Sequence, residues 1–254
     1  MNETPAICQV GPVTKSTDMN VVIPVGPNRP DTLRWVLRTI WQHLSVDRVV
    51  IVGNIPGWVR EVETLSVTQH RDRATNHRAN IDAVLNHDLE DFVWWDDDHF
   101  ILEDRGSIPL YNAGFVSTYL AAKKSQMRAL AAPGEYQRAF QMCFDLCASW
   151  GYEDVLLPPH VPMPVEKASL ASLVSDTDKS GLDRKEMMWA VWKAAYLTRV
   201  VSPENSPHLA DPRHRHLENP DSPTDGFWAT TANLWTTNTW IKDRYWRPSP
   251  YEAT

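Results

Sequence analysis

The chain has 254 residues, of which 43% are hydrophobic and 22% are charged, and it carries a formal net charge of −7. This balance is typical of a soluble globular protein and excludes a chain that is disordered throughout. The negative charge disfavours a dedicated nucleic-acid binder but leaves a local basic groove open. Only three cysteines are present, so no disulfide framework is predicted.

The first hundred residues alternate between short apolar runs and helical patterns. Strands are predicted over 20–26, 48–54, 65–70 and 91–95, and helices over 32–44 and 75–87. Asp31 or Thr32 is expected to cap the first helix, and Thr75 or Asn76 the second. This order predicts an α/β fold with a mostly parallel, Rossmann-like sheet flanked by helices.

The second half is predicted to be helical and rich in loops. Residues 202–226 are rich in Pro, Asp, Asn, Ser and His, and we interpret them as a long surface loop or lid. Residues 1–19 are expected to form a flexible arm, and 20–254 a single domain. No secretory signal pattern and no apolar run of membrane-spanning length occurs, so we expect a cytoplasmic protein without a membrane span.

Three consecutive acids, Asp96, Asp97 and Asp98, follow the apolar strand 'DFVWW'. Ligands of such sheets bind beyond the carboxyl ends of the strands, so the acids are expected at the binding crevice. Neighbouring carboxylates repel one another unless a cation neutralises them, and Mg²⁺ and Mn²⁺ prefer oxygen ligands. Side-chain alternation would point Asp96 and Asp98 to the same side, which suits a metal-bound diphosphate. The alternative is that the acids cap a turn, with Asp97 solvated.

Four stretches carry a resemblance to known transferases. They are 'TLRWVLRTIWQHLSVDRVVIVGNIPGWV', 'FVWWDDDHFIL', 'PHVPMPVEKASLASLVSD' and 'RYWRPSPYE'. The arrangement of sheet and acids resembles the GT-A class of nucleotide-sugar transferases. More narrowly, the four stretches resemble the Stealth family, whose members transfer a hexose-1-phosphate from a UDP-sugar to an acceptor hydroxyl.

The resemblance implies a GT-A-like domain in which residues 20–105 bind the nucleotide-sugar and residues 106–254 bind the acceptor. It also implies Mn²⁺ or Mg²⁺ as cofactor. The metal ligands would be Asp96, Asp98 and His160, and the catalytic residues would be Asp97, His160 and Arg184.

Six residues are assigned to the donor: Pro24, Asn28, Arg29, Asn76, Asn80 and Asp96. Asn28 and Arg29 lie in the loop after the first strand, which is expected to face the crevice. Asn76 and Asn80, together with Arg78, open the second helix, whose N-terminus favours anions. Alternatives stay open for several residues. His160 would otherwise be a structural histidine in a proline-rich turn, Arg184 a solvated residue in the first turn of a helix, and Asn76 a helix cap. Asn28 and Arg29 would be surface-turn residues.

Two departures from the Stealth pattern favour ordinary glycosyl transfer. Asp96 stands where that family usually has Asn, and 'VVIPVGPNRPD' replaces the family's 'TWVDG'-like segment. The first hypothesis is therefore a metal-dependent glycosyltransferase that uses a nucleotide-sugar, with UDP as the expected nucleotide, and a protein, a glycan or another hydroxyl compound as acceptor. The alternatives are hexose-1-phosphate transfer with release of UMP, and a carbohydrate-binding module without catalysis.

Overall fold

The computed structural model describes residues 19–27, 30–111, 145, 148–149, 161–179, 226–229 and 239–253. Its strands are β1 (Met19–Val25), β2 (Val46–Gly53), β3 (Glu63–Ser66), β4 (Phe92–Trp94), β5 (His99–Ile101), β6 (Met163–Val165) and β7 (Phe227–Ala229). Its helices are α1 (Pro30–His43), α2 (Arg73–Leu85), α3 (Lys167–Lys179) and α4 (Trp240–Arg244). The predicted order from β1 to β4 is confirmed, with boundaries that shift by a few residues.

The main sheet has the order β3-β2-β1-β4-β6. The pairs β1–β2, β1–β4 and β2–β3 are parallel, whereas β6 runs antiparallel to β4. A separate two-stranded sheet pairs β5 with β7. The predicted α/β fold class, a mostly parallel sheet flanked by helices, is thereby confirmed.

The sheet order places α1 and α2 on opposite faces. The connection from β1 to β2 moves one way along the sheet and the connection from β3 to β4 moves the other way, so right-handed crossovers put their helices on different sides. Apolar residues of α1 pack with alternate residues of β1 and β2 in one core cluster: Leu33, Val36, Leu37, Ile40, Val21, Ile23, Val25, Val49 and Ile51. Both faces of the central strands are therefore buried, which explains their continuous apolar sequence.

Both predicted helix caps are wrong. Helix α1 begins at Pro30, so Asp31 and Thr32 lie inside its first turn. Proline suits this position because its fixed φ is helical and the first turn needs no N–H donor. Helix α2 is capped by Asp72, whose carboxylate accepts the Thr75 backbone N–H at 2.8 Å.

The buried carboxylate of Glu252 binds the C-terminal tail to α1. Glu252 accepts Arg38 Nε on Oε1 at 2.7 Å and Arg38 Nη2 on Oε2 at 2.9 Å, and Arg34 Nη1 reaches Oε2 at 3.0 Å. The backbone N–H and the hydroxyl of Ser249 also donate to Oε1. Burial alone would raise the pKa of Glu252, but the hydrogen bonds from Arg38, Ser249 and Arg34 outweigh it and lower this pKa.

The same tail holds the turn that follows β2. The Arg60 N–H donates to the Tyr251 carbonyl at 2.9 Å, and the Ala253 N–H donates to the Trp58 carbonyl at 2.7 Å. The terminal 'PSPYE' segment therefore has a structural role in this chain, because it ties α1 to the loop at the carboxyl end of β2.

Candidate functional site

The three acids lie at the carboxyl end of β4, as predicted, but in a turn. Strand β4 ends at Trp94, and the His99 N–H donates to the Asp96 carbonyl at 3.2 Å, which closes a turn over residues 96–99. The expected strand-like alternation of Asp96 and Asp98 is therefore wrong. The turn follows two tryptophans that are fully buried, Trp94 and Trp95, so its position relative to the core is fixed.

The turn gathers carboxylates around a buried histidine. The side chains of Asp96 and Asp98 are 24% and 10% exposed, and that of His99 is 1% exposed. His99 Nε2 lies 3.4 Å from Asp96 Oδ2 and 3.6 Å from Asp98 Oδ1. The indole N–H of Trp94 donates to Asp96 Oδ1 at 3.3 Å. From the sequence, the acids were assigned a role and His99 was not, although His99 follows the acids directly.

Pro24 marks the point at which β1 and β4 separate. The two strands pair as far as Val22–Trp94, and the Trp95 N–H donates to the Val22 carbonyl at 2.8 Å. Alternate residues of a strand direct their backbone groups to the same neighbour, so Pro24 is the next β1 residue whose N–H would face β4. Proline has no N–H, so the ladder stops there.

The resulting gap lies at the topological switch point of the sheet. Strand β1 has β2 on one side and β4 on the other, and successive strands are added in opposite directions from it. Open α/β sheets bind ligands in the crevice outside the carboxyl ends of the strands at this point. The acid turn over residues 96–99 follows the carboxyl end of β4 and therefore lies at this point of the sheet.

Strand β6 begins at the edge of the sheet where the acid turn lies. It runs antiparallel to β4, with Met163 opposite Trp94, so the chain enters β6 from the side on which the acids lie. Val161 and Met163 are buried. His160 itself lies outside the described residues, as do Asn28, Arg29 and Arg184 and the predicted lid up to residue 225.

The predicted donor contacts on α2 have different surroundings. The side-chain amide of Asn76 accepts the His70 backbone N–H at 2.6 Å and donates to the His70 carbonyl at 2.8 Å. Asn80 is 4% exposed and lies beside Gly53, the last residue of β2. Arg78 binds Asp178 and Asp82 through both ends of its guanidinium, which ties α2 to α3.

A second group of acids and histidine, which the sequence did not indicate, lies at the opposite edge of the sheet. Ligand atoms of Glu63, His87 and Asp88 lie within 4.8 Å of one another. Glu63 begins β3, the strand at one edge of the main sheet, and β2 and β1 lie between β3 and β4. Glu63 is distant in sequence from the adjacent pair His87 and Asp88, so no local motif reveals the group.

Arg48 already supplies a cation to this second group. Its guanidinium donates to both oxygens of Glu63 at 2.6 and 2.7 Å and to Asp88 Oδ1 at 2.8 Å. These hydrogen bonds lower the pKa of Glu63 and Asp88, and both carboxylates raise the pKa of Arg48. The group is therefore an ion-pair network at the β3 edge of the main sheet, separated from β4 by β2 and β1.

The comparisons with known proteins return distant structural similarity. No family model and no curated protein matches the chain. The chain is similar to the crystal structure of the glycosyltransferase GlyE in Streptococcus pneumoniae TIGR4, with 12% identity and a TM-score of 0.39 over 76% of this chain and 45% of that chain. The apo form of GlyE gives 11% identity and a TM-score of 0.38, over 77% of this chain and 46% of that chain.

The chain thus spans less than half the length of these structures. These two structures do not support the Stealth family in particular. Within the described residues, no helix is long and apolar enough to cross a membrane.

Proposed function

We propose that the chain is a metal-dependent glycosyltransferase that moves a sugar from a nucleotide-sugar, with UDP as the expected nucleotide, to an acceptor hydroxyl. One observation supports the proposal: the acid turn follows the carboxyl end of β4, beside β1, at the topological switch point of the sheet. A cluster of carboxylates at that place would repel an anionic ligand unless a cation were bound with it.

The chemistry of the donor set fits Mn²⁺ or Mg²⁺. Asp96, Asp97 and Asp98 offer carboxylate oxygens, which both ions prefer over nitrogen or sulfur. The network of Glu63, His87 and Asp88 fits a free cation less well, because Arg48 occupies its carboxylates. A metal ion held by Asp96 and Asp98 would supply positive charge to the diphosphate of the donor as the nucleotide leaves.

The chain's own residues have separate parts in this proposal. Asp96 and Asp98 hold the cation, and Asp97 faces the reacting sugar. His160 serves as a further ligand or as the acid or base that moves a proton at the acceptor hydroxyl. Arg184 binds phosphate oxygens in a fork geometry.

The donor's nucleoside is proposed to lie over the carboxyl ends of β1 and β2. Pro24 shapes the gap there, and Asn28 and Arg29 belong to the loop that follows β1. Asn80 supplies a buried amide beside Gly53. Asn76 contributes indirectly, because its amide is engaged with His70.

Product analysis tests the proposal. The full chain is incubated with a panel of UDP-sugars, Mn²⁺ and candidate acceptors, and the released nucleotide is identified by chromatography. Release of UDP that depends on Mn²⁺ supports glycosyl transfer, whereas release of UMP indicates hexose-1-phosphate transfer. Saturable binding of a carbohydrate, without turnover of any donor and without a metal requirement, would instead indicate a binding module.

A further inference from the structure

We propose that His99 is a positioning residue for the acid turn: its Nε2–H lies between the carboxylates of Asp96 and Asp98 and holds them in the arrangement that a divalent cation requires. This inference rests on the proposed metal-dependent function and assigns a role to a residue that is not itself a metal ligand.

The geometry places a single nitrogen between two side chains. His99 Nε2 is 3.4 Å from Asp96 Oδ2 and 3.6 Å from Asp98 Oδ1, so neither carboxylate is favoured. Both separations exceed an ordinary N–H···O bond, and the attraction is therefore shared electrostatically between the two oxygens. A donor shared in this way draws the two carboxylates towards the same side of the turn.

The imidazole of His99 is buried, and the backbone that carries it is hydrogen-bonded on both sides. His99 is the first residue of β5, and its ring lies in the protein interior with 1% exposure. Its backbone N–H donates to the Asp96 carbonyl at 3.2 Å, and its carbonyl accepts the Trp95 indole N–H at 2.8 Å. Strand β5 is itself paired with β7 through His99–Ala229. The backbone of His99 is therefore fixed and its ring is enclosed, so the more exposed carboxylates are the groups expected to adjust to it.

A donor behind the ligands of a metal ion fixes their orientation, and its loss typically costs 10-fold to 100-fold in metal affinity. The Trp94 indole N–H has a similar relation to Asp96, through its contact with Oδ1 at 3.3 Å. His99 Nε2 approaches both Asp96 and Asp98, so its removal should affect the pair as a unit.

The test measures Mn²⁺ affinity of the full chain by electron paramagnetic resonance, without any nucleotide or acceptor. Three substitutions are compared: His99→Gln, whose Nε2 reaches about as far as the imidazole Nε2; His99→Asn, which is polar but too short; and His99→Leu, which is apolar and of similar bulk. His87→Leu is the matched control, because it removes a histidine at the opposite edge of the sheet. Far-UV circular dichroism and thermal unfolding confirm that each variant is folded at the temperature of the titration.

The expected result is that wild type, His99→Gln and His87→Leu bind Mn²⁺ with similar affinity. His99→Asn and His99→Leu should bind it about 10-fold to 100-fold more weakly. If His99→Leu fails to fold, the Mn²⁺ affinities of His99→Gln and His99→Asn are compared, and their difference decides the test. Equal or tighter binding by His99→Asn or His99→Leu would overturn the positioning role, since the imidazole would then be a bystander or a competing cation. Absence of Mn²⁺ binding by the wild type would overturn the metal-dependent function as well, so the two failures are distinguishable.

Discussion

Removing the charge of Glu252 should strongly destabilise the fold. The substitution Glu252→Gln keeps the shape of the side chain but places an amide NH₂ against guanidinium donors. The carboxylate accepts two hydrogen bonds from Arg38, one from Arg34 and two from Ser249, so one oxygen cannot be replaced without setting donor against donor.

The size of the loss in unfolding free energy follows from the burial of the Arg38–Glu252 ion pair. Arg38 is 8% exposed and Glu252 is 6% exposed, so the pair is shielded from water. Breaking a buried ion pair by removing one partner costs about 3–5 kcal/mol, because the remaining charge has no compensation. Arg34 adds less than about 1 kcal/mol, because its side chain is 31% exposed and its attraction to Glu252 is screened. For a chain of this size, a loss of about 3 kcal/mol lowers the midpoint of thermal unfolding by roughly 6–12 °C.

Urea unfolding, monitored by tryptophan fluorescence, measures the change in unfolding free energy. Glu90→Gln is the control because Glu90 is exposed, and it should change that free energy by less than about 0.5 kcal/mol. The double variant Arg38→Met with Glu252→Gln should recover part of the loss, since it leaves no buried charge alone. A loss of unfolding free energy below about 1 kcal/mol for Glu252→Gln, or no recovery in the double variant, would show that Arg38 and Glu252 do not act as a buried ion pair.

Two further predictions concern acidity and a backbone contact. The folded-state pKa of Glu252 is lowered, so its contribution to stability is complete above the unfolded value of about 4.3 and is lost as the pH falls through the folded value. The gap in unfolding free energy between wild type and Glu252→Gln should therefore narrow from pH 5 to about pH 3, and a gap that stays constant would contradict this sign. The substitution Gly53→Ala should cost about 1–3 kcal/mol, because Gly53 has φ +110° and a Cβ there would lie 2.5 Å from the Val25 carbonyl oxygen. Gly57→Ala, where a Cβ meets nothing within 4 Å, is its control, and equal unfolding free energies for the two variants would show that the contact is not limiting.

The sheet could be predicted from local sequence because its strands carry a strong signal. Strand β1 is continuously apolar over residues 21–25 and β2 over residues 49–52, and α1 repeats its apolar residues with helical spacing. These patterns reflect burial on both faces of the sheet and on one face of a helix, which are properties of single elements. The acids after Trp94 were informative for the same reason, since the end of a buried strand fixes where the following residues lie.

Contacts between distant parts of the chain could not be predicted in this way. The bond from Arg38 to Glu252 joins residues 214 apart, and Arg78 meets Asp178 across 100 residues. Nothing in the local sequence of either partner specifies the other. The cap of α2 was missed for a different reason, because Asp72 precedes the apolar pattern by several residues and Asn76 is a good cap by composition.

In the proposed function the acid turn, and not the network around Arg48, holds the metal ion that a nucleotide diphosphate needs. Calorimetric titration of UDP in the presence of Mn²⁺ tests this assignment, with wild type, Asp98→Asn and Glu63→Gln measured side by side. We expect wild type and Glu63→Gln to bind UDP alike, whereas Asp98→Asn loses at least about tenfold in affinity. Normal binding by Asp98→Asn, or loss of binding by Glu63→Gln alone, would contradict it.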